Sequence, residues 1–257
     1  MLPLDQIREI QTSGESVLFS ELSFRPEQRI LVLAPHPDDF DEVAVTLRYF
    51  FKLGHPILLL VLTGASSGVL DSFVSPATKS RKEDVREEEQ LLALEFFGFP
   101  STNVQFLRLP EDDAGELILD HRCRQIVGDL FRKFNPDIVS LPYGKDTNLS
   151  HCRTFELFKE LASDAQKPVL GLCHRDPKTT EINIQAFFPF DEATAQWKGE
   201  MLRFHQSQHT RNLQTRNYGI DDRMLQLNQD VARGLGIKEP YAEGFQLVLI
   251  NDAKSTT

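Results

Sequence analysis

The chain has 257 residues, 40% of them hydrophobic and 26% charged, which suits a globular protein of one large domain or two small ones. A net charge of −10 leaves no basic surplus to neutralise phosphates, so nucleic acid is not expected as the main partner, although a local basic pocket is compatible with it. The N-terminus, Met1-Leu2-Pro3-Leu4-Asp5, lacks the basic region and apolar core of a signal peptide, and no apolar run approaches the roughly 18 residues of a membrane span.

In chain order, Ile30-Leu31-Val32-Leu33-Ala34-Pro35 reads as a short buried strand over 30–35 that stops at a Pro-His-Pro breaker. Residues 41–53 read as a helix with Val43, Leu47, Phe50 and Phe51 on one face and Gly54 as its stop. Residues 56–63 form a second buried strand, and 64–80 a long loop rich in Gly, Ser and Thr, of the length that usually serves function. A highly charged helix follows over 80–98, with Val85, Leu92 and Phe96 expected to face inward. Then come a strand at 103–109, a helix at 117–134, a strand at 137–141 and a helix at 151–163. Strands at 169–173 and 182–188, one helix over 191–209 and a last strand at 243–250 complete the reading, with 209–240 as loop. This alternation predicts an α/β three-layer sandwich, a Rossmann-like, mostly parallel sheet with helices on both faces, within a single domain spanning 1–257. No Gly-x-Gly-x-x-Gly follows the first strand, so a dinucleotide is not expected.

His36, Asp38 and Asp39 fall at the carboxyl end of the first strand, because a residue before proline continues in an extended direction. Ligands of open α/β sheets bind at that edge. His36 and Asp39 offer two metal ligands from one turn, and Asp38 is left free to take a proton from water. The plain alternative is that Asp38 or Asp39 caps the next helix. A third ligand is expected from another strand's carboxyl end, and His151, after the strand at 137–141, is placed to supply it. Two histidines and one carboxylate are also the facial triad of ferrous oxygenases. The three cysteines, Cys123, Cys152 and Cys173, form no Cys-x-x-Cys pair, which points to neither a disulfide framework nor a cysteine zinc site and fits a reducing, cytoplasmic setting.

With these residues in order the chain resembles the LmbE/PIG-L-like zinc deacetylases. His36-Pro37-Asp38-Asp39 matches their first motif, and Asn148-Leu149-Ser150-His151 stands where their His-x-Asp-His should be. Arg86 to Glu89 matches an Arg-x-x-Glu helix, residues 107–115 a loop that carries an Asp, and Lys198 with His205-Gln206-Ser207-Gln208 a Lys…His-x-Ser-Gln helix. The resemblance implies zinc, or another divalent ion such as Fe2+, on His36, Asp39 and His151. It implies Asp38 as general base, with Asn148 at the oxyanion and Arg86, Asp113 and His205 at a sugar substrate. The implied reaction is hydrolysis of an N-acetyl group on an amino sugar or its conjugate, in a protein that often forms homo-oligomers.

The pattern is broken at three places. Phe40 replaces the Glu after the Asp pair, Glu42-Val43-Ala44-Val45 replaces a glycine-rich stretch, and Asn148 and Ser150 replace the histidine and aspartate of the second motif. An asparagine amide donates a hydrogen bond but no proton near neutral pH. Acid catalysis therefore passes to another group, His174 or His205, or else the chain binds metal or sugar with little turnover. Phe40 and Trp197 are read as core, with the lining of an acyl or sugar pocket as the lesser reading, and His55, His121 and His209 as surface positions.

Overall fold

The computed structural model describes residues 2–252. In chain order the elements are α1 (Leu4–Ser13), β1 (Val17–Leu18), β2 (Ile30–Ala34), α2 (Ala44–Lys52), β3 (Ile57–Val61), α3 (Lys79–Phe97) and β4 (Val104–Phe106). They continue with α4 (His121–Phe134), β5 (Ile138–Pro142), α5 (Leu149–Ser163), β6 (Val169–His174), β7 (Ala186–Phe190), α6 (Glu192–Leu202), α7 (Gln206–Arg216), α8 (Ile220–Leu235) and β8 (Tyr241–Ile250). The strands form one sheet in the order β1-β7-β8-β6-β5-β2-β3-β4. Every pairing is parallel except those of β8, which runs antiparallel to both β6 and β7.

Side chains of a strand alternate between its two faces, and β2 uses both. Ile30, Val32 and Ala34 pack with Leu47 and Phe50 of α2 and Leu94 and Phe97 of α3. Leu31 and Leu33 pack on the other face with Val127 and Phe131 of α4 and Leu157 and Phe158 of α5. The mostly parallel sheet with helices on both sides is therefore as expected. From β2 the chain winds through α2 to β3 on one side, and from β5 through α5 to β6 on the other. The neighbouring carboxyl ends of β2 and β5 thus flank a topological switch point, where open α/β sheets leave a crevice.

Several expected elements shift. The helix after β2 begins as a 3-10 turn at Asp41–Val43, and β7 starts at Ala186 rather than 182. Residues 191–209 are two helices, with His205 buried at the break. Most of 209–240 is helical, in α7 and α8, and α1 was not expected at all. On α3 the inward face is rotated. Val85 is buried as expected, but Leu92 and Phe96 are 49% and 37% exposed, and Glu83, Arg86, Glu89 and Gln90 take the inner side with Ala93, Leu94 and Phe97. Arg86, Glu89 and Gln90 face inward because they hold the loop after β2 and the start of α7. Phe40 is core, against Phe97 and Phe99 at ring distances of 5.2 and 5.3 Å. Trp197 is half-buried, with Arg48 4.2 Å over its ring. His55, expected at the surface, is buried with Nδ1 3.1 Å from the Gln28 carbonyl. No helix among the described residues is long and apolar enough to cross a membrane.

Candidate active site

Beyond β2, Pro35-His36-Pro37 carries the chain into a tight loop. The Asp39 Oδ2 atom accepts the His36 backbone N–H at 2.6 Å and lies 3.4 Å from His36 Nδ1. Asp38 has φ of +116°, a conformation sparsely populated by residues with a side chain. Two residues of α3 hold it there: Gln90 Oε1 accepts the Asp38 N–H at 2.9 Å, and Arg86 Nη2 donates to Asp38 Oδ1 at 3.0 Å and to the Pro37 carbonyl. The other face of Gln90 donates to Asp41 Oδ2 at 2.9 Å, and the same oxygen meets His205 Nε2 at 2.9 Å.

At the end of β5, Asn148 caps α5. Its Oδ1 accepts the Ser150 and His151 N–H groups at 2.9 and 3.4 Å, which turns the amide nitrogen into the free, donating end. His151 lies in the first turn of α5 rather than opening it, with Nε2 3.7 Å from Asp39 Oδ1. Its other nitrogen, Nδ1, sits 3.3 Å from Asp146 Oδ2 and 3.9 Å from Asp176 Oδ1. Ligand atoms of His36, Asp39 and His151 all lie within 4.8 Å of one another. Two imidazoles and a carboxylate at one point suit a divalent ion, and a carboxylate behind the outer nitrogen of a ligating histidine is the usual support for one. The residues present therefore fit a metal. Burial by itself would raise the Asp39 carboxyl, but the His36 and His151 imidazoles hold it well below the carboxylate range. Burial would lower His151, yet Asp146, Asp39 and Asp176 outweigh it and bring the metal-free imidazole up to about 9.

These groups open into a cavity of about 270 Å³ lined by His36, Asp38, Asp39, Arg86, Asn148 and His151. The expected loops contribute Ala65, Ser67 and Gly68 after β3, and Arg211, Arg216 and Arg223 from α7 and α8. Two expected substrate residues are not brought to it. Asp113 is exposed and faces a neighbouring depression with Ser66, Lys79 and Lys82. From the same loop it is Glu116 that reaches the cavity, accepting from Ser150 Oγ at 2.7 Å and from Ser150 N at 2.8 Å. His205 is completely buried behind Asp41; burial works against its charge, but Asp41 in contact raises it overall. His174 is not among the lining residues either. Burial takes its imidazole down to about 3, with Nε2 3.5 Å from Glu42 Oε2.

Asp146, Asp176, Glu42 and the three arginines were missed by reading the chain. Asp146 was within reach, two residues before Asn148 and five before His151; the others follow no motif.

A family model described as PIG-L: GlcNAc-PI de-N-acetylase matches residues 31–162. No curated protein matches the chain. Among solved structures, N,N'-diacetylchitobiose deacetylase from Pyrococcus horikoshii, complexed with its inhibitor MPG, is similar at a TM-score of 0.71 and 15% identity, over 86% of this chain and 84% of that one. GalB, the 4-carboxy-2-hydroxymuconate hydratase from Pseudomonas putida KT2440, is similar at 0.66 and 19%, over 90% of this chain and all of that one (100%). A deacetylase of the teicoplanin biosynthesis pathway gives 0.63 and 14%, over 88% and 100%. At such identities the likeness is one of fold, and that fold carries a hydratase as well as deacetylases.

Proposed function

The chain belongs to the family described as PIG-L: GlcNAc-PI de-N-acetylase, and from that premise we propose that it is a metal-dependent hydrolase removing an N-acetyl group, or a similar acyl group, from an amino sugar or its conjugate. The observation that carries this reading is the convergence of His36, Asp39 and His151 within 4.8 Å beside an Asp38 held at φ +116° on the cavity wall. A binding protein needs the first three residues but has no use for a carboxylate fixed in a costly conformation next to them.

His36 Nδ1, Asp39 and His151 Nε2 would hold the ion, zinc or another divalent metal such as Fe2+. When bound, it supplies polarisation of the acyl oxygen and a lowered pKa for water, to about 7 in zinc hydrolases. Asp38 takes the proton from the attacking water, and its position is set by Arg86 and by the Gln90 bond to its backbone. Arg86 thus acts on Asp38 as well as lining the cavity that would take the sugar. Asn148 donates its amide N–H to the developing oxyanion, since its oxygen is engaged as the α5 cap. An amide cannot protonate the leaving amine, so Asp38 returns to that amine the proton it took from water. Asp146 holds the tautomer of His151 that leaves Nε2 free to ligate.

The test is acetate release from a panel of N-acetylglucosamine derivatives by the metal-loaded chain, with Asp38→Asn alongside. Metal-dependent release that disappears in the variant is expected. Bound metal with no release from any derivative would favour the second reading, a metal- or sugar-binding relative, which the replacements at Asn148 and Ser150 support.

A further inference from the structure

The cavity has a second charge that a neutral sugar does not call for. Lys178, from the loop after β6, lines it together with Arg211 and Arg216 of α7 and Arg223 of α8. Among the described residues none of these four pairs with a carboxylate; Arg216 bonds only Asn212 Oδ1 and Thr215 Oγ1, at 2.9 and 3.2 Å. Among the other arginines, Arg8, Arg108, Arg124 and Arg203 each sit on a carboxylate, whereas Arg29 and Arg48 lie over the Phe134 and Trp197 rings.

The crowding of these cations has a cost. Arg211 is half-buried, and burial, then Arg216 and Arg86 nearby, lower its pKa. The lining as a whole holds five carboxylates and five cationic side chains. Of the cations, Arg86 is already matched by Asp38 at 3.0 Å. A divalent ion on His36, Asp39 and His151 therefore turns the cavity net positive, in a chain whose overall charge is −10. Partly buried guanidiniums with no carboxylate in contact favour an anion, and their planar forks match phosphate and carboxylate bidentately.

We propose that the substrate is an amino sugar bearing an anionic substituent, a phosphate or a carboxylate, which Arg211, Arg216 and Arg223 bind while the amide lies at His36, Asp39 and His151. This rests on the deacetylase reading above and adds the substrate class to it. The same cations offset the repulsion that an acidic protein exerts on an approaching anion.

The experiment compares kcat/KM of the metal-loaded chain for N-acetylglucosamine with that for its 1-phosphate, its 6-phosphate and N-acetylmuramic acid. In parallel, calorimetry measures binding of the deacetylated counterparts: glucosamine, its two phosphates and muramic acid. At least one anionic compound is expected to surpass the neutral sugar by tenfold or more, and the best one identifies phosphate or carboxylate as the group bound. Arg211→Gln and Arg223→Gln, each checked for an unchanged melting profile, should reduce that preference by about tenfold to a hundredfold per lost charged contact. Added salt should reduce it as well. Equal use of the neutral and all three anionic sugars, or a preference that survives both substitutions, overturns the proposal. If no compound releases acetate, the deacetylase reading fails while calorimetry still decides. Anionic sugars bound more tightly than glucosamine, with the difference lost in Arg211→Gln, support the anion site, and equal binding refutes it.

Discussion

Asp38 shows how a single residue is prepared by its neighbours. Its φ of +116° costs free energy that only surrounding contacts can offset, here from Arg86 and Gln90 on α3. Asp38→Asn keeps the shape but removes the base. Hydrolysis should fall by about 10²- to 10⁴-fold with metal content intact by elemental analysis, and a parent-like rate would refute the assignment. His151 governs a different measurable quantity. Its imidazole stands at about 9 in the metal-free site, and a ligating nitrogen must be unprotonated. The sign follows: as pH falls below about 9 the proton competes with the metal. Apparent metal affinity should therefore drop by up to about tenfold per pH unit between pH 9 and pH 7 in a chelator competition, for a single linked proton. A flat profile would show that no proton leaves His151 when the metal binds. Asn148 was expected at the site from its place in the second motif, but that its oxygen is engaged as a helix cap is a matter of backbone geometry.

At the level of elements, α3 and the pair α6–α7 illustrate what periodicity conveys and what it does not. The helix over 80–98 was legible from its charge, its length and the Gly98 stop, where φ is +85°. Its rotation was not, because the inner side carries polar residues that serve the site. The orientation predicts unequal costs. Leu94→Ala should destabilise by about 2–5 kcal/mol, whereas Leu92→Glu should stay within about 0.5 kcal/mol, both read from urea denaturation; the reverse order would contradict the packing. The break at 203–205 has no Gly or Pro to announce it. It is made by a contact from far away in the chain: the Glu89 carboxylate accepts Ser207 N–H at 2.6 Å and Ser207 Oγ at 2.7 Å, capping the start of α7 from α3. By contrast α8 carried a readable signal, with Ile220, Met224, Leu227 and Val231 buried at helical spacing before Gly236.

Over the whole molecule, one buried cation joins parts that lie far apart in the chain. Lys198 of α6 donates to Glu243 of β8 at 2.7 Å, to Asn228 of α8 at 3.0 Å and to the Glu42 carbonyl after β2 at 2.5 Å. Glu243 in turn accepts the backbone N–H groups of Val45 and Thr46 at 3.1 and 2.8 Å, at the start of α2. Lys198→Met would leave that carboxylate buried without its cation and should cost about 3–5 kcal/mol, measured as a lowered urea midpoint. A change below about 1 kcal/mol would mean that the pair contributes little beyond a hydrophobic replacement. The sequence by itself determined the layered α/β sheet and the His36-Pro37-Asp38-Asp39 cluster at the end of β2. Apolar runs are local, and a strand end presents residues that are already neighbours in the chain. Only the tertiary structure decided that Asp146 and Asp176 back His151, that Arg211, Arg216 and Arg223 line the cavity, that Glu116 rather than Asp113 reaches it, and that His205 is withdrawn behind Asp41. A polar side chain carries no periodic signal of what it will face. Its place depends on loop paths and on the packing of helices far apart in the chain, which the burial of apolar surface selects for the molecule as a whole.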